Sequence, residues 1–222
     1  MSVPVQKSAP RRGRPRAYDP ENALGQAMAV FWNSGYAATS LDDLSNATGM
    51  NRPSLYGAFG DKRTLYGTLL HRYRAIARAG MKEALRYDLP LREALGRVYR
   101  AALELYLPRN AAARGCFLIG TAVTESVLDA QVRTNLAEGL DEIDAAFEAR
   151  LRFARRCGEL ARGSDPAALA RMASAALYSL AIRSRSGSSR AALQRIANSA
   201  LDLICATKNR RDPTRTRSRG PR

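Results

Sequence analysis

Residues 39–59 read TSLDDLSNATGMNRPSLYGAF, and the order of caps, apolar positions and breakers within them decides the fold. Ser40 followed by Asp43 has the pattern of a capping box: the hydroxyl takes one orphan amide and the carboxylate reaches back to another. The short helix this opens turns Leu41, Leu44 and Ala47 inward and stops at Gly49, which suits a left-handed C′ position. Met50 is the next apolar plug. Asn51 then caps a second helix, in which Pro53 is tolerated because a first-turn amide has no partner anyway. Leu55 and Phe59 point into the same core. Two helices joined by a tight glycine turn in so few residues have the spacing of a helix-turn-helix.

Outward from this stretch the pattern is helical throughout, with no alternating strand signal and no internal repeat. Upstream, Asp19 caps a helix with Pro20 at its first position, and Leu24, Ala27, Met28, Phe31 and Trp32 recur at helical spacing until Gly35. Downstream the periodicity predicts helices over 61–87 (Leu65, Leu69, Leu70, Tyr73, Ile76) and 90–107 (Leu91, Leu95, Val98, Ala102, Tyr106). A short helix follows Gly115, and a long one runs over 129–158 (Val132, Leu136, Leu140, Ile143, Phe147, Leu151). Helices over 165–184 and 189–206 close the chain, the first lined by Leu169, Met172, Ala176 and Leu180, the second by Leu193, Ile196, Ala200, Leu201 and Ile204. The expectation is an all-α fold: a three-helix N-terminal domain over 19–66 and a larger helical bundle over 67–207. The alanine-rich final hairpin reads either as a four-helix seam between two copies or as packing within one subunit.

Composition narrows the function. Of 222 residues, 45% are hydrophobic and 25% charged, an ordinary balance, but 36 Lys and Arg against 20 Asp and Glu leave a net charge of +16. That field favours polyanions. The excess sits at the ends. Residues 1–18 read as a disordered basic arm containing Arg11, Arg12, Arg14 and Arg16 and no acid, and 208–222 as a basic tail. Residues 19–66, by contrast, carry more acid than base. No apolar run is long enough to span a membrane and no export segment opens the chain, so the expected location is the cytoplasm. Cys116, Cys157 and Cys205 are too far apart for a C-x-x-C pair, which argues against a disulfide framework or a structural zinc. With His71 the single histidine and neither a Gly-rich phosphate loop nor H-E-x-x-H, an enzyme is excluded and no cofactor or metal is expected.

The stretch Asp19–Tyr66 resembles the N-terminal DNA-binding domain of the TetR family of bacterial transcriptional regulators. The residues that carry the resemblance are Gly35-Tyr36, Thr39-Ser40-Leu41, Gly49-Met50-Asn51-Arg52-Pro53-Ser54-Leu55-Tyr56, Phe59, Lys62 and Leu65. It implies a homodimer formed through the last two helices, bound to a pseudo-palindromic double-stranded operator and released by a small-molecule effector. The third helix would enter the major groove, capped by Asn51. Arg52 would read guanine, Pro53 would touch a thymine methyl, and Ser54 and Gly57 would face the bases. Gly57 and Ala58 offer little side chain, which places the burden of readout on Arg52 and the arm. Phosphate contacts fall to Thr39, Ser40, Tyr56 and Lys62, with Arg14 and Arg16 along the minor groove. The structural alternatives are capping alone for Ser40, packing for Tyr56 and charge pairing for Lys62.

For the larger domain, Tyr99, Tyr106, Phe117, Phe147, Phe153 and Tyr178 are the candidate effector contacts, with plain core packing as the alternative. Cys116, after Arg114-Gly115 in the first turn of a short helix, is a candidate redox or electrophile sensor whose thiol pKa the helix end and Arg114 would lower; the alternative is a small buried apolar residue. Cys157 and Cys205 read as structural. From another class, a non-specific nucleic-acid binder driven by the basic termini would bind in a salt-sensitive way indifferent to sequence.

Overall fold

The computed structural model describes residues 19–110 and 112–206. Among them nine helices run in chain order: α1 (Pro20–Ser34), α2 (Leu41–Thr48), α3 (Arg52–Phe59), α4 (Lys62–Ala84), α5 (Leu91–Tyr106), α6 (Phe117–Glu125), α7 (Ala130–Arg156), α8 (Pro166–Arg185) and α9 (Arg190–Cys205). The basic arm with Arg14 and Arg16, and the tail from Lys208, lie outside the described residues.

The helix starts follow the local chemistry. Asp19, Ser40, Asn51, Asp61, Asp129, Asp165 and Ser189 each cap a helix by accepting from its first-turn amides. Gly49 ends α2 in the left-handed conformation, φ 65° and ψ 12°. α4 stops at Ala84, short of Tyr87, with the Leu85 amide bonded to the Met81 carbonyl. Within α4, Ile76 does not join the core as the periodicity predicts. It is 58% exposed, at the mouth of a cavity described below.

α1, α2 and α3 close over Phe31, Leu44, Met50 and Leu55, all buried. This small core is continuous with that of the bundle. α1 delivers Phe31 and Trp32 onto Tyr66 and Tyr73 of α4 and Phe117 of α6. The ring centroids lie 5.3 Å apart for Phe31–Tyr66 and Trp32–Tyr73, and 5.4 Å apart for Trp32–Phe117. The Tyr66 hydroxyl is hydrogen-bonded to Thr121 at 2.7 Å, so α4 is shared, and a division after Tyr66 cuts through a helix that belongs to both halves. A further tie is the Arg63–Asp129 ion pair, 2.5 Å, between the starts of α4 and α7.

α8 and α9 pack antiparallel, and their apolar residues divide between two faces. Leu180, Leu193, Leu201 and Ile204 are buried within the subunit, whereas Met172 (58% exposed) and Leu203 (69% exposed) lie on the outer face. Met172, whose stripe reads from sequence either as a seam between two copies or as packing within one subunit, thus lies outside the subunit's own core. Among the described residues no helix is long and apolar enough to cross a membrane.

Candidate nucleic-acid interface and the cavity behind it

α3 is anchored by the buried Leu55, with Ala58 and Phe59 partly buried against the same core, while Asn51, Arg52, Pro53, Ser54, Tyr56 and Gly57 are all exposed. The Asn51 side-chain oxygen accepts from the Ser54 amide at 2.9 Å, which fixes the entry of the helix. Space beside Gly57 is open, so nothing would obstruct an approaching surface there. The Arg52 guanidinium is not free: it donates from Nε and Nη2 to the two carboxylate oxygens of Asp42, at 3.0 and 2.7 Å. This fork uses one edge of the guanidinium and leaves the Nη1 side available.

The expected phosphate contacts divide. Ser40 is exposed and engaged in the capping box: its hydroxyl accepts from the Asp43 amide at 3.1 Å and donates to the Asp43 carboxylate at 2.7 Å. These bonds hold the Asp43 carboxyl below the usual carboxylate range. Thr39 departs from its expected role. It is 1% exposed, and its hydroxyl donates to the Gly35 carbonyl at 2.7 Å. Its position is set by the α1–α2 turn, which buries it. Lys62, at the start of α4, places Nζ 4.4 Å from the Tyr36 ring centroid, and partial burial lowers its pKa. Tyr56, on α3, is 46% exposed.

Behind this surface, α4, α5, α7 and α8 enclose a predominantly apolar cavity of about 310 Å3. Met81, Val98, Ala102, Ile143 and Leu177 form its walls. Its rim carries Arg74, whose guanidinium donates to Glu142 at 2.6 Å, Glu138 at 2.7 Å and Asn135 at 3.0 Å. Its floor is the group Tyr73, Tyr106 and Cys116. The Tyr73 hydroxyl donates to the Cys116 sulfur at 3.2 Å, and Tyr106 is buried in the same lining.

Of the aromatic residues expected around an effector, Tyr106 lines this cavity and the others do not. Phe117 is spent in the aromatic cluster with Trp32, Tyr66 and Tyr73. Tyr99 donates to the Ala173 carbonyl at 3.1 Å and packs by Phe147, 6.4 Å between centroids. Tyr178 is on α8 with its hydroxyl buried near Ser174, and Phe153 packs on Tyr87 at 4.8 Å. Helical spacing identifies these rings as inward-facing, but which inner space each fills depends on the neighbouring helix.

The Cys116 expectation also needs correction. Cys116 occupies the N-cap position of α6 but makes no side-chain cap bond, and burial pushes its thiol pKa up. Arg114 does not act on it; its guanidinium lies 4.1 Å from the Trp32 ring centroid. Sequence reasoning also missed Arg74, Asp42 and Met81. A pairing such as Asp42–Arg52 joins residues on different helices, and no local pattern signals it.

Residues 23–69 match the family model described as bacterial regulatory proteins, tetR family, and residues 92–200 match that of the tetracyclin repressor-like C-terminal domain. The chain belongs to the TetR family. Among curated TetR-type relatives, the HTH-type transcriptional repressor ComR of Escherichia coli (strain K12) is 31% identical over 195 residues, 86% of this chain and 91% of ComR. BdcR, a repressor of the same organism, is 35% identical over 107 residues, 48% of this chain and 54% of BdcR. Among solved structures, the TetR-family regulator CifR, as a cysteine mutant complexed with 26-bp operator DNA, is 30% identical with a TM-score of 0.78. That match covers 85% of this chain and 98% of CifR. The protein is therefore a TetR-family DNA-binding transcriptional regulator, and the exposed face of α3 belongs to its helix-turn-helix.

Proposed function

We propose that the protein is a repressor that binds a pseudo-palindromic operator as a homodimer and leaves it when a small apolar effector fills the cavity between α4, α5 and α7. The observation that carries this reading is the open face of α3, where Arg52, Pro53, Ser54, Tyr56 and Gly57 are presented together while Leu55 anchors the helix. Arg52 reads guanine through its free Nη1 side, Tyr56, Ser40 and Lys62 meet phosphates, and the basic arm adds sequence-independent affinity. Relatives named as repressors and a related regulator held on operator DNA support the repressor reading.

The homodimer reading rests on the apolar groove along α8 and α9, lined by Leu169, Met172, Ala176, Ile196, Ala200 and Leu203. Small residues there let a second hairpin approach closely. For the effector, the lining charges Arg74, Arg78 and Glu142 pair with one another, and Arg74 pairs also with Glu138, which suits an uncharged apolar molecule. A second reading has the signal act on Cys116 by oxidation or by an electrophile, and its support is that the sulfur lines the same cavity.

The test is an anisotropy titration against DNA from upstream of the protein's own gene, with scrambled duplex as competitor, in reduced and mildly oxidised samples. The expected result is a specific complex that Arg52→Ala weakens at one base step with non-specific affinity retained. Loss on oxidation that Cys116→Ser prevents selects the thiol reading. Scrambled DNA that competes equally, with binding indifferent to Arg52→Ala, selects non-specific binding by the basic termini instead.

A further inference from the structure

α1 ends without a cation of its own: no basic residue occupies its last turn. The carbonyls of Trp32 and Asn33 are among the terminal acceptors that a helix cannot satisfy internally, and they carry the negative end of its dipole. Arg185, the last residue of α8, supplies what α1 lacks. Its Nη1 donates to the Trp32 carbonyl at 3.0 Å and its Nη2 to the Asn33 carbonyl at 3.3 Å. Nη1 also reaches the Arg114 carbonyl at 3.4 Å. No carboxylate pairs with Arg185 among the described residues, so its charge is spent on main-chain acceptors of the DNA-binding domain and of the segment that leads into α6.

The same junction is held by further contacts. The Trp32 indole donates to the Gly115 carbonyl at 3.1 Å, and Arg114 stacks on the indole face. Gly115 has φ +65°, and a Cβ there would stand 2.5 Å from the Ala181 carbonyl oxygen of α8. Residues 114–116 are thus wedged between α1 and α8. Arg185 closes the wedge where the DNA-binding domain meets the helix that lies at the groove with α9.

We propose that Arg185 is a positioning residue for operator recognition: by capping α1 from α8, it sets the angle of each reading helix relative to the axis of the dimer. The proposal rests on the reading that α8 and α9 join two copies. In that arrangement the distance between the two α3 helices follows from how rigidly each three-helix domain hangs on its own α8. Two half-sites are matched when that distance equals the separation of successive major-groove faces, about 34–36 Å or a multiple of it. Arg185 touches no DNA and no effector; it acts through α1.

The experiment selects the preferred duplex from a random pool with the full-length wild-type protein, then measures affinity on versions whose half-site spacing is changed by one or two base pairs either way, and on a single half-site. Arg185→Ala is expected to lose about tenfold on the preferred spacing and to flatten the spacing profile, while affinity for the single half-site stays within about twofold. Arg185→Lys, which keeps the charge and reaches one carbonyl, recovers part of the preference. A spacing profile in Arg185→Ala as sharp as in the wild type overturns the proposal. So does an equal loss on every duplex, the single half-site included, which is the mark of a merely structural role. Thermal melting accompanies each variant, and if Arg185→Ala is unfolded then Arg185→Gln, which retains an amide donor without the charge, is read by the same two outcomes. A wild-type protein without any spacing preference overturns the dimeric regulator reading and this proposal together, a result separate from any change in the variants.

Discussion

Asp42 and Arg52 illustrate how two exposed side chains acquire a defined geometry. Exposed ion pairs contribute little to stability, so the value of this one lies in aiming the guanidinium, with Nε and Nη2 engaged and the Nη1 side left open. Asp42→Ala is expected to reduce discrimination for guanine over other bases at the contacted position by about two- to fivefold, as competition with single-base operator variants would measure. Uniformly tighter binding with unchanged discrimination would mean that Asp42 withholds Arg52 from DNA. Cys116 gives the second residue-scale prediction. Burial raises its thiol pKa above the ordinary cysteine value, so folding favours the protonated form, and the stability linked to it is lost as pH rises past the unfolded value. Iodoacetamide labelling followed by mass spectrometry should find the exposed Cys157 modified before Cys116, with the Cys116 rate in native protein still climbing above about pH 9. Labelling of Cys116 first at neutral pH would contradict the burial argument. Of the residues singled out from sequence, Ser40 and Asn51 were legible because a cap is a contact within one helical turn. Thr39 was not, since its burial depends on how α2 docks against α1.

At the scale of elements, helix starts and types were legible because each depends on a cap, a breaker and a repeat within a few residues. Asp129 opens α7 by accepting from the Gln131 and Val132 amides, and the pairs Asp19-Pro20 and Asp165-Pro166 do the same for α1 and α8. The connection before α6 was not legible. Arg114-Gly115-Cys116 reads as an ordinary helix entry, whereas its course is dictated by α1 on one side and α8 on the other. Gly115 is required there twice over, by its positive φ and by the Ala181 carbonyl. Gly115→Ala is expected to destabilise the protein by about 2–4 kcal/mol, seen as a lowered denaturation midpoint with unchanged slope. Gly57→Ala, on an open helical surface, is expected to leave the midpoint unchanged or raise it slightly. Equal effects of the two substitutions would remove the steric account of the junction.

For the molecule as a whole, the outer face of α8 and α9 leaves Met172 and Leu203 exposed beside small residues. Met172→Glu with Leu203→Glu is expected to give a monomer by light scattering, with the helical circular dichroism retained and operator affinity reduced about a hundredfold or more, because two linked half-site contacts become one. A doubly substituted protein that remains dimeric would place the seam elsewhere. The sequence by itself determined the helical class, the helix-turn-helix with its caps, the family and the basic ends, because these follow from patterns that act within a turn or two of helix. Only the tertiary structure decided that Tyr106 and Cys116 share a cavity floor while Tyr99, Phe117, Phe147 and Tyr178 pack elsewhere, that Asp42 holds Arg52, and that Arg185 caps α1. Periodicity says that a side chain faces inward. Which distant helix it meets there is set by packing of the whole chain, which joins residues as far apart as Trp32 and Arg185.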